Sequence, residues 1–226
     1  RSYPVRSEGA LCCKACDLSM KKFSYNKILC DLCGVKGNNL ASAVQQSVSG
    51  LCYTHISSYC FKTMDLTSVE YSKLLSWLAY YKHHTILNKT QMQKLLFMCY
   101  GIYYALEDKP LFKDDTPKAW PYGPVFPRVN VRYNPNVLPS DLSTEEKKAF
   151  LENEKALRIA NSVIVKNVNV SAHALSEWSH EKGSPWFTTV YGEDGSNKNI
   201  NWNKQIPDSL IKAYFKEWIK RSKIKA

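Results

Sequence analysis

From residue 63 onward, apolar positions recur mostly with the helical period. Tyr71, Leu74, Leu75, Leu78 and Tyr81 line one face of a helix, and Thr67-Ser68-Val69-Glu70 ahead of them is a capping box in which Thr67 and Glu70 each satisfy an orphan backbone N–H. A helix is therefore expected from Thr67 to about Lys82. After a polar break at Asn88, Met92, Leu95, Leu96, Cys99, Ile102, Tyr103 and Leu106 form a more strongly apolar helix, with Gly101 allowing a neighbour to approach closely. This is the expected core helix, and Cys99 within it reads as a small core residue.

Between Lys109 and Pro139 the text turns rich in Pro and Gly around Trp120-Pro121-Tyr122-Gly123-Pro124-Val125. Proline fixes φ and removes a donor, so a stiff, partly extended, non-helical loop displaying Trp120, Tyr122 and Phe126 is expected. Helical signals return at the capping box Ser143-Thr144-Glu145-Glu146 and run through Phe150, Leu151, Leu157 and Ile159. Val163-Ile164-Val165 is β-branched and reads as a late turn or a short strand. Ser171 to His180 reads as a short helix with Leu175 and Trp178 inward, stopped by Gly183, Ser184 and Pro185, and Tyr191 to Asn203 as a polar loop. A last helix opens with Pro207 and Asp208 and presents Leu210, Ile211, Tyr214, Phe215, Trp218 and Ile219.

With 226 residues, 44% hydrophobic and 23% charged, and only 9 Gly and 10 Pro, the chain excludes collagen-like and wholly disordered classes. No apolar run approaches the length of about 20 residues that a membrane span needs, so no membrane partner is expected. The start RSYPVRSEGA lacks the layout of a secretory signal, and a cytoplasmic location is the expectation. The balance of 31 basic to 20 acidic residues, formally +11, invites a polyanion. The C-terminal cluster Lys212, Lys216, Lys220, Arg221, Lys223 and Lys225 is not interleaved with planar or base-reading groups, so nucleic-acid contact is expected to be weak and non-specific.

Cysteine usage divides the chain near Thr63: seven of eight cysteines precede residue 61. The expected organisation is a Cys-rich module at 1–63 and a helical domain at 64–226. A two-residue gap turns both thiolates of a C-x2-C pair toward one ion, and reduced cytosolic thiols favour metal over disulfide. Structural zinc is the expected cofactor, with two ligand sets open. One is Cys13, Cys16, Cys30 and Cys33; the other is Cys30, Cys33, Cys52 and His55. Cys12 or Cys60 could serve a second ion. Residues 1–63 also admit a reading as an appended extension with no fold, and a zinc module that binds nucleic acid is the rival to an interaction role.

The string Ala119-Trp120-Pro121-Tyr122-Gly123-Pro124-Val125 stands among further motifs: Gln93-Lys94-Leu95-Leu96-Phe97, Lys109-Pro110-Leu111-Phe112, Leu175-Ser176-Glu177-Trp178-Ser179-His180 and Ser184-Pro185-Trp186. In order and spacing, residues 64–220 resemble the Panacea domain, the SocA/GepA-like family of antitoxins, although Gln91 stands where the family more often has Lys. The resemblance implies a mainly α fold, a compact helical domain with a Pro/Gly-rich loop and minor β. It also implies a non-enzymatic antitoxin that neutralises a cognate toxin by direct contact, with some relatives delivering the toxin to a protease. The surface expected to meet the toxin is the loop Ala119–Val125, with Trp120, Pro121, Tyr122, Gly123 and Pro124, and the adjoining face of the core helix at Lys94. A zinc-containing regulator or phage counter-defence factor is the alternative. For an enzyme, the five histidines show no Ser/His/Asp or Cys/His pairing at a spacing that predicts a site, and His180 reads as a structural hydrogen-bonding group.

If the Cys-rich region folds around metal, protein purified without chelator carries about one zinc per chain, and chelation removes structure before residue 63 only, because binding and folding are coupled in such modules. Metal analysis that finds no zinc leaves the unfolded-extension reading.

Overall fold

The structure, a computed structural model of the chain, describes residues 66–196, 200 and 202–224. The expected zinc ligands Cys13, Cys16, Cys30, Cys33, Cys52 and His55, and the boundary at Thr63, lie outside the described residues. The chain divides into two units, and the larger comprises Asp65–Glu146 and Asn153–Ala226. Its fold is mainly helical with a small sheet, as the sequence predicts. In chain order the described elements are α1 (Ser68–His83), α2 (Lys89–Glu107), β1 (Lys118–Trp120), β2 (Gly123–Val125), α3 (Pro127–Arg132), α4 (Thr144–Glu152), α5 (Glu154–Asn167), α6 (Ala172–His180), α7 (Pro185–Tyr191), β3 (Lys204–Gln205) and α8 (Asp208–Ile224). Most of α4, Lys147–Glu152, belongs to the smaller unit.

Both capping boxes expected from the text are formed. The Thr67 amide donates to Glu70 Oε2 at 2.6 Å while the Glu70 amide donates to Thr67 Oγ1 at 3.3 Å, and Ser143 and Glu146 make the same exchange at 2.8 and 3.1 Å. A third box opens α2: Asn88 Oδ1 accepts from the Gln91 amide at 2.8 Å and Gln91 Oε1 accepts from the Asn88 amide at 3.1 Å. Gln91 also donates from Nε2 to the Val170 carbonyl at 2.9 Å, which a lysine could not combine with a box. Left-handed residues end the first two helices, His84 at φ 54° and Asp108 at φ 59°.

Helix α2 is buried on all sides: every residue from Met92 to Gly101 is buried. Such a helix needs neighbours on every face, and α1, α3, α5, α6, α8 and β2 supply them. One side of it is an aromatic cluster, in which Phe97 meets Phe215 at 5.7 Å between ring centroids and Trp178 meets Phe215 at 6.3 Å. A second cluster joins Tyr100, Phe112 and Phe126 at 5.2 to 5.5 Å. Three short antiparallel strands run in the order β2-β1-β3, with Trp120 opposite Gly123, so Pro121 and Tyr122 form a two-residue turn.

Three local expectations are corrected. The Lys109–Pro139 segment contains helix α3, because Pro127 occupies a first-turn position where a missing N–H costs nothing. Val163-Ile164-Val165 lies inside α5, where burial of Val163 and Ile164 overrides β-branched propensity. Ser184 and Pro185 stop α6 but also start α7: Ser184 Oγ accepts from the Phe187 amide at 3.1 Å and Pro185 follows at the first turn.

Gly101 is where α2 and α8 press together, since a Cβ there would overlap the Phe215 ring. Gly101→Ala is expected to lower the urea midpoint, with a cost of about 1–3 kcal/mol for overpacking. An unchanged midpoint would mean that the two helices separate without cost.

Candidate functional site

The motif Ala119–Val125 folds as the β1–β2 hairpin, and its turn is the exposed part. Tyr122 is 78% exposed. Pro121 is exposed as well, Trp120 is half-buried, and Gly123 and Pro124 are buried. Phe126, expected on display, is fully buried and joins the aromatic cluster with Tyr100 and Phe112. Rigid packing holds the turn from both strands. Trp120 Nε1 donates to Asn203 Oδ1 at 3.1 Å, its carbonyl accepts from Trp186 Nε1 at 2.8 Å, and the Tyr122 carbonyl accepts from Ser176 Oγ at 3.4 Å.

Beneath the turn, α2 supplies two polar side chains, Gln93 and Lys94, to the core. Gln93 is 3% exposed and brackets Phe126, accepting from its amide at 2.7 Å and donating to its carbonyl at 3.3 Å. Lys94 is 1% exposed, and its Nζ donates to the Pro124 carbonyl at 3.1 Å. Burial without a counter-ion pushes the Lys94 ammonium down to about 7. Gly123 lies directly over it at φ 100°, and a Cβ at Gly123 would sit 2.7 Å from Lys94 Nζ and overlap Ser179 Oγ. Glycine is required there on two grounds, backbone angle and space.

The far wall comes from α6 and α7. Ser179 Oγ donates to the Ser176 carbonyl and Ser184 Oγ to the Ser179 carbonyl, both at 2.8 Å. His180 lies against the Trp186 ring at 3.9 Å between centroids, and its Nε2 is buried with no hydrogen-bond partner, in contrast to the hydrogen-bonding role expected for it. Burial first, and the Lys94 charge second, hold the His180 imidazole below its ordinary pKa. Two basic groups thus lie within electrostatic reach of one another. The expected site residues divide accordingly: Pro121 and Tyr122 form the surface, Trp120 its shoulder, and Lys94, Gly123 and Pro124 its buried support. Gln93, Ser179 and Trp186 belong to the motifs but not to the expected site, and only the bonds of Gln93 and Trp186 to the hairpin and the closeness of Ser179 to Gly123 single them out.

The other candidate chemistry is spread out. Cys99 is buried, and burial pushes its thiol up, as suits a core residue. In the basic C-terminal helix, Lys212 pairs with Asp108 and Lys220 with Glu217, while Lys216 and Arg221 are exposed and Lys225 lies outside the described residues. Among the described residues no group of three or more His, Cys, Asp or Glu is placed to hold a metal ion. No helix among them is long and apolar enough to cross a membrane.

Residues 92–187, which run from the start of the buried core of α2 through the hairpin to α7, match the family model described as antitoxin SocA-like, Panacea domain. This segment is similar to the Panacea domain. No curated protein and no solved structure matches the chain. The matched segment contains Lys94, the whole hairpin, His180 and Trp186, so the site lies within it, and the match supports an antitoxin-type role.

The buried amine of the matched segment has a measurable signature. The native Lys94 amine loses its proton near pH 7 and the unfolded one at 10.5, so between these values the unfolded chain holds one more proton and stability rises with pH. The rise is expected from about pH 7 to 9, at up to about 1.4 kcal/mol per pH unit. Above that, ionisation of the unfolded Cys99 thiol opposes it. Urea midpoints at pH 7, 8 and 9 should therefore climb in the wild type and stay level in Lys94→Met; equal slopes would remove Lys94 as the source.

Proposed function

We propose that this protein is a non-enzymatic antitoxin that neutralises a cognate toxin by direct protein–protein contact, with the Pro121–Tyr122 turn at the centre of the contact. The observation that carries the reading is the 78% exposure of Tyr122 at the tip of a hairpin held through the Trp120, Tyr122 and Pro124 carbonyls. A large planar side chain exposed to water brings interface energy out of proportion to its size, and a pinned backbone has little entropy left to lose on binding. Pro121 adds stiffness at the turn, and Trp120 extends the aromatic surface to its shoulder. The SocA-like match supports the antitoxin half of the reading.

The test is co-expression with the toxin encoded by the neighbouring reading frame. Tyr122→Ala should leave the melting temperature unchanged, because the ring is exposed, and should weaken toxin binding by at least about 2 kcal/mol, with loss of growth rescue. Trp120→Ala, half-buried, should lower both stability and rescue. A stably folded Tyr122→Ala variant that rescues fully removes the turn from the contact. Rescue that fails only in step with unfolding moves the contact to another face.

A further inference from the structure

We propose that Lys94 is the positioning residue of the Pro121–Tyr122 turn and acts as a proton-sensitive latch: the neutral amine seats β2 on α2, and the ammonium lifts it. The meaning of the latch for neutralisation rests on the turn being the toxin contact, but the latch itself is a property of the hairpin.

The geometry leaves the amine no other way to respond to charge. Gly123 brings the β2 backbone into direct contact with Nζ, and the one hydrogen bond of the amine is to Pro124 of the same strand. No ion pair reaches Lys94 among the described residues. Of the elements packed on α2, β2 has no ionisable side chain, and α3 has only the exposed Arg128 and Arg132. On helix α6, His180 lies within electrostatic reach of the amine but is a base held neutral in this range by burial, and Glu177 pairs with His173. The acids of the remaining helices are engaged elsewhere: Glu70 of α1 in its capping box, Glu154 of α5 with Arg158, Asp208 of α8 with Tyr100, and Glu217 of α8 with Lys220. The acids at the end of α2, Glu107 and Asp108, pair with Lys155 and Lys212.

A buried amine without a counter-ion must either lose its proton or, to stay charged, gain water. Helices cover the other faces of α2, whereas β2 is a three-residue edge strand that ends in an exposed turn. Lifting β2 is therefore the least costly opening, because short edge segments open locally well before the core does. It would carry Tyr122 away from Ser176 and change the surface that the turn presents.

Hydrogen exchange on the full chain reads the latch without any toxin. The lifted state holds its proton up to about pH 10 and the seated state only to about 7, so seating is favoured as pH rises between these values. Amides of residues 118–126 should be less protected than those of α2 by about tenfold or more, and their protection factors should rise about tenfold per pH unit from pH 7 to 9 and level off below 7. Lys94→Met should abolish the rise, and Lys94→Arg should keep the hairpin poorly protected throughout. Hairpin amides as protected as those of α2, a flat wild-type profile, or an unchanged slope in Lys94→Met overturns the proposal. If neither variant folds, carbon NMR of the lysine side chains in the wild type decides. A Lys94 midpoint near 7 with hairpin amide shifts following it supports the latch, and an ordinary midpoint or a silent hairpin overturns it. A working latch combined with full rescue by Tyr122→Ala would leave the latch standing and remove only the contact reading.

Discussion

The backbone of an edge strand that is buried must find partners, and in this protein they come from two side chains of the core helix. β2 pairs with β1 on one side only. Its other side faces α2, where water does not reach, and a buried carbonyl or amide left unpaired costs about as much as a lost hydrogen bond. Pro124 removes one donor from this side, Lys94 takes the Pro124 carbonyl, and Gln93 takes both the amide and the carbonyl of Phe126. Three backbone groups are thus satisfied by two adjacent side chains on a helix that is otherwise apolar from Met92 to Gly101.

This arrangement couples the aromatic core to the surface turn. Phe126 can enter the cluster with Tyr100 and Phe112 because its own backbone is held by Gln93, and the strand before it is held down by Lys94. The turn then projects where the strand ends. Trp186 clamps β1 from the opposite side, through the Trp120 carbonyl, so the hairpin is pinned from α2 and from α7. Tyr122 stands at the exposed tip of this pinned hairpin, and its own carbonyl is held by Ser176.

Much of this was legible in the sequence, where local rules and tertiary demands agree. Thr67 with Glu70 and Ser143 with Glu146 announced two helix starts, and the apolar run through Leu95, Leu96 and Cys99 announced the core helix. Reading failed where a residue has two uses. Pro127 and Pro185 look like helix breakers but sit at first-turn positions, and Val163 and Ile164 have strand propensity that packing overrides. Phe126 was expected on the surface because its proline-rich neighbourhood suggested a loop, whereas burial of an aromatic of that size outweighs local stiffness. The string Ala119–Val125 marked the right segment, yet nothing in it separates the exposed Tyr122 from the buried Gly123 and Pro124. That division depends on which side of a three-residue strand meets α2, and so on long-range packing.

Lys94 is the point at which the fold goes against its own local logic. A methionine, one atom shorter, would fill most of the same core without the cost of removing an amine from water, and a glutamine of the same reach as methionine would offer a donor. Neither titrates. Gly123, with its positive φ and no room for a Cβ, is a second departure from local preference, and it lies against the same amine. His180, with a buried nitrogen left unpaired, is a third, within electrostatic reach of Lys94. Departures of this kind cost stability wherever they occur, and in a fold shaped by stability alone they would be scattered and individually compensated. Here three of them converge beneath one exposed turn. Such convergence is expected where function rather than stability sets the residues.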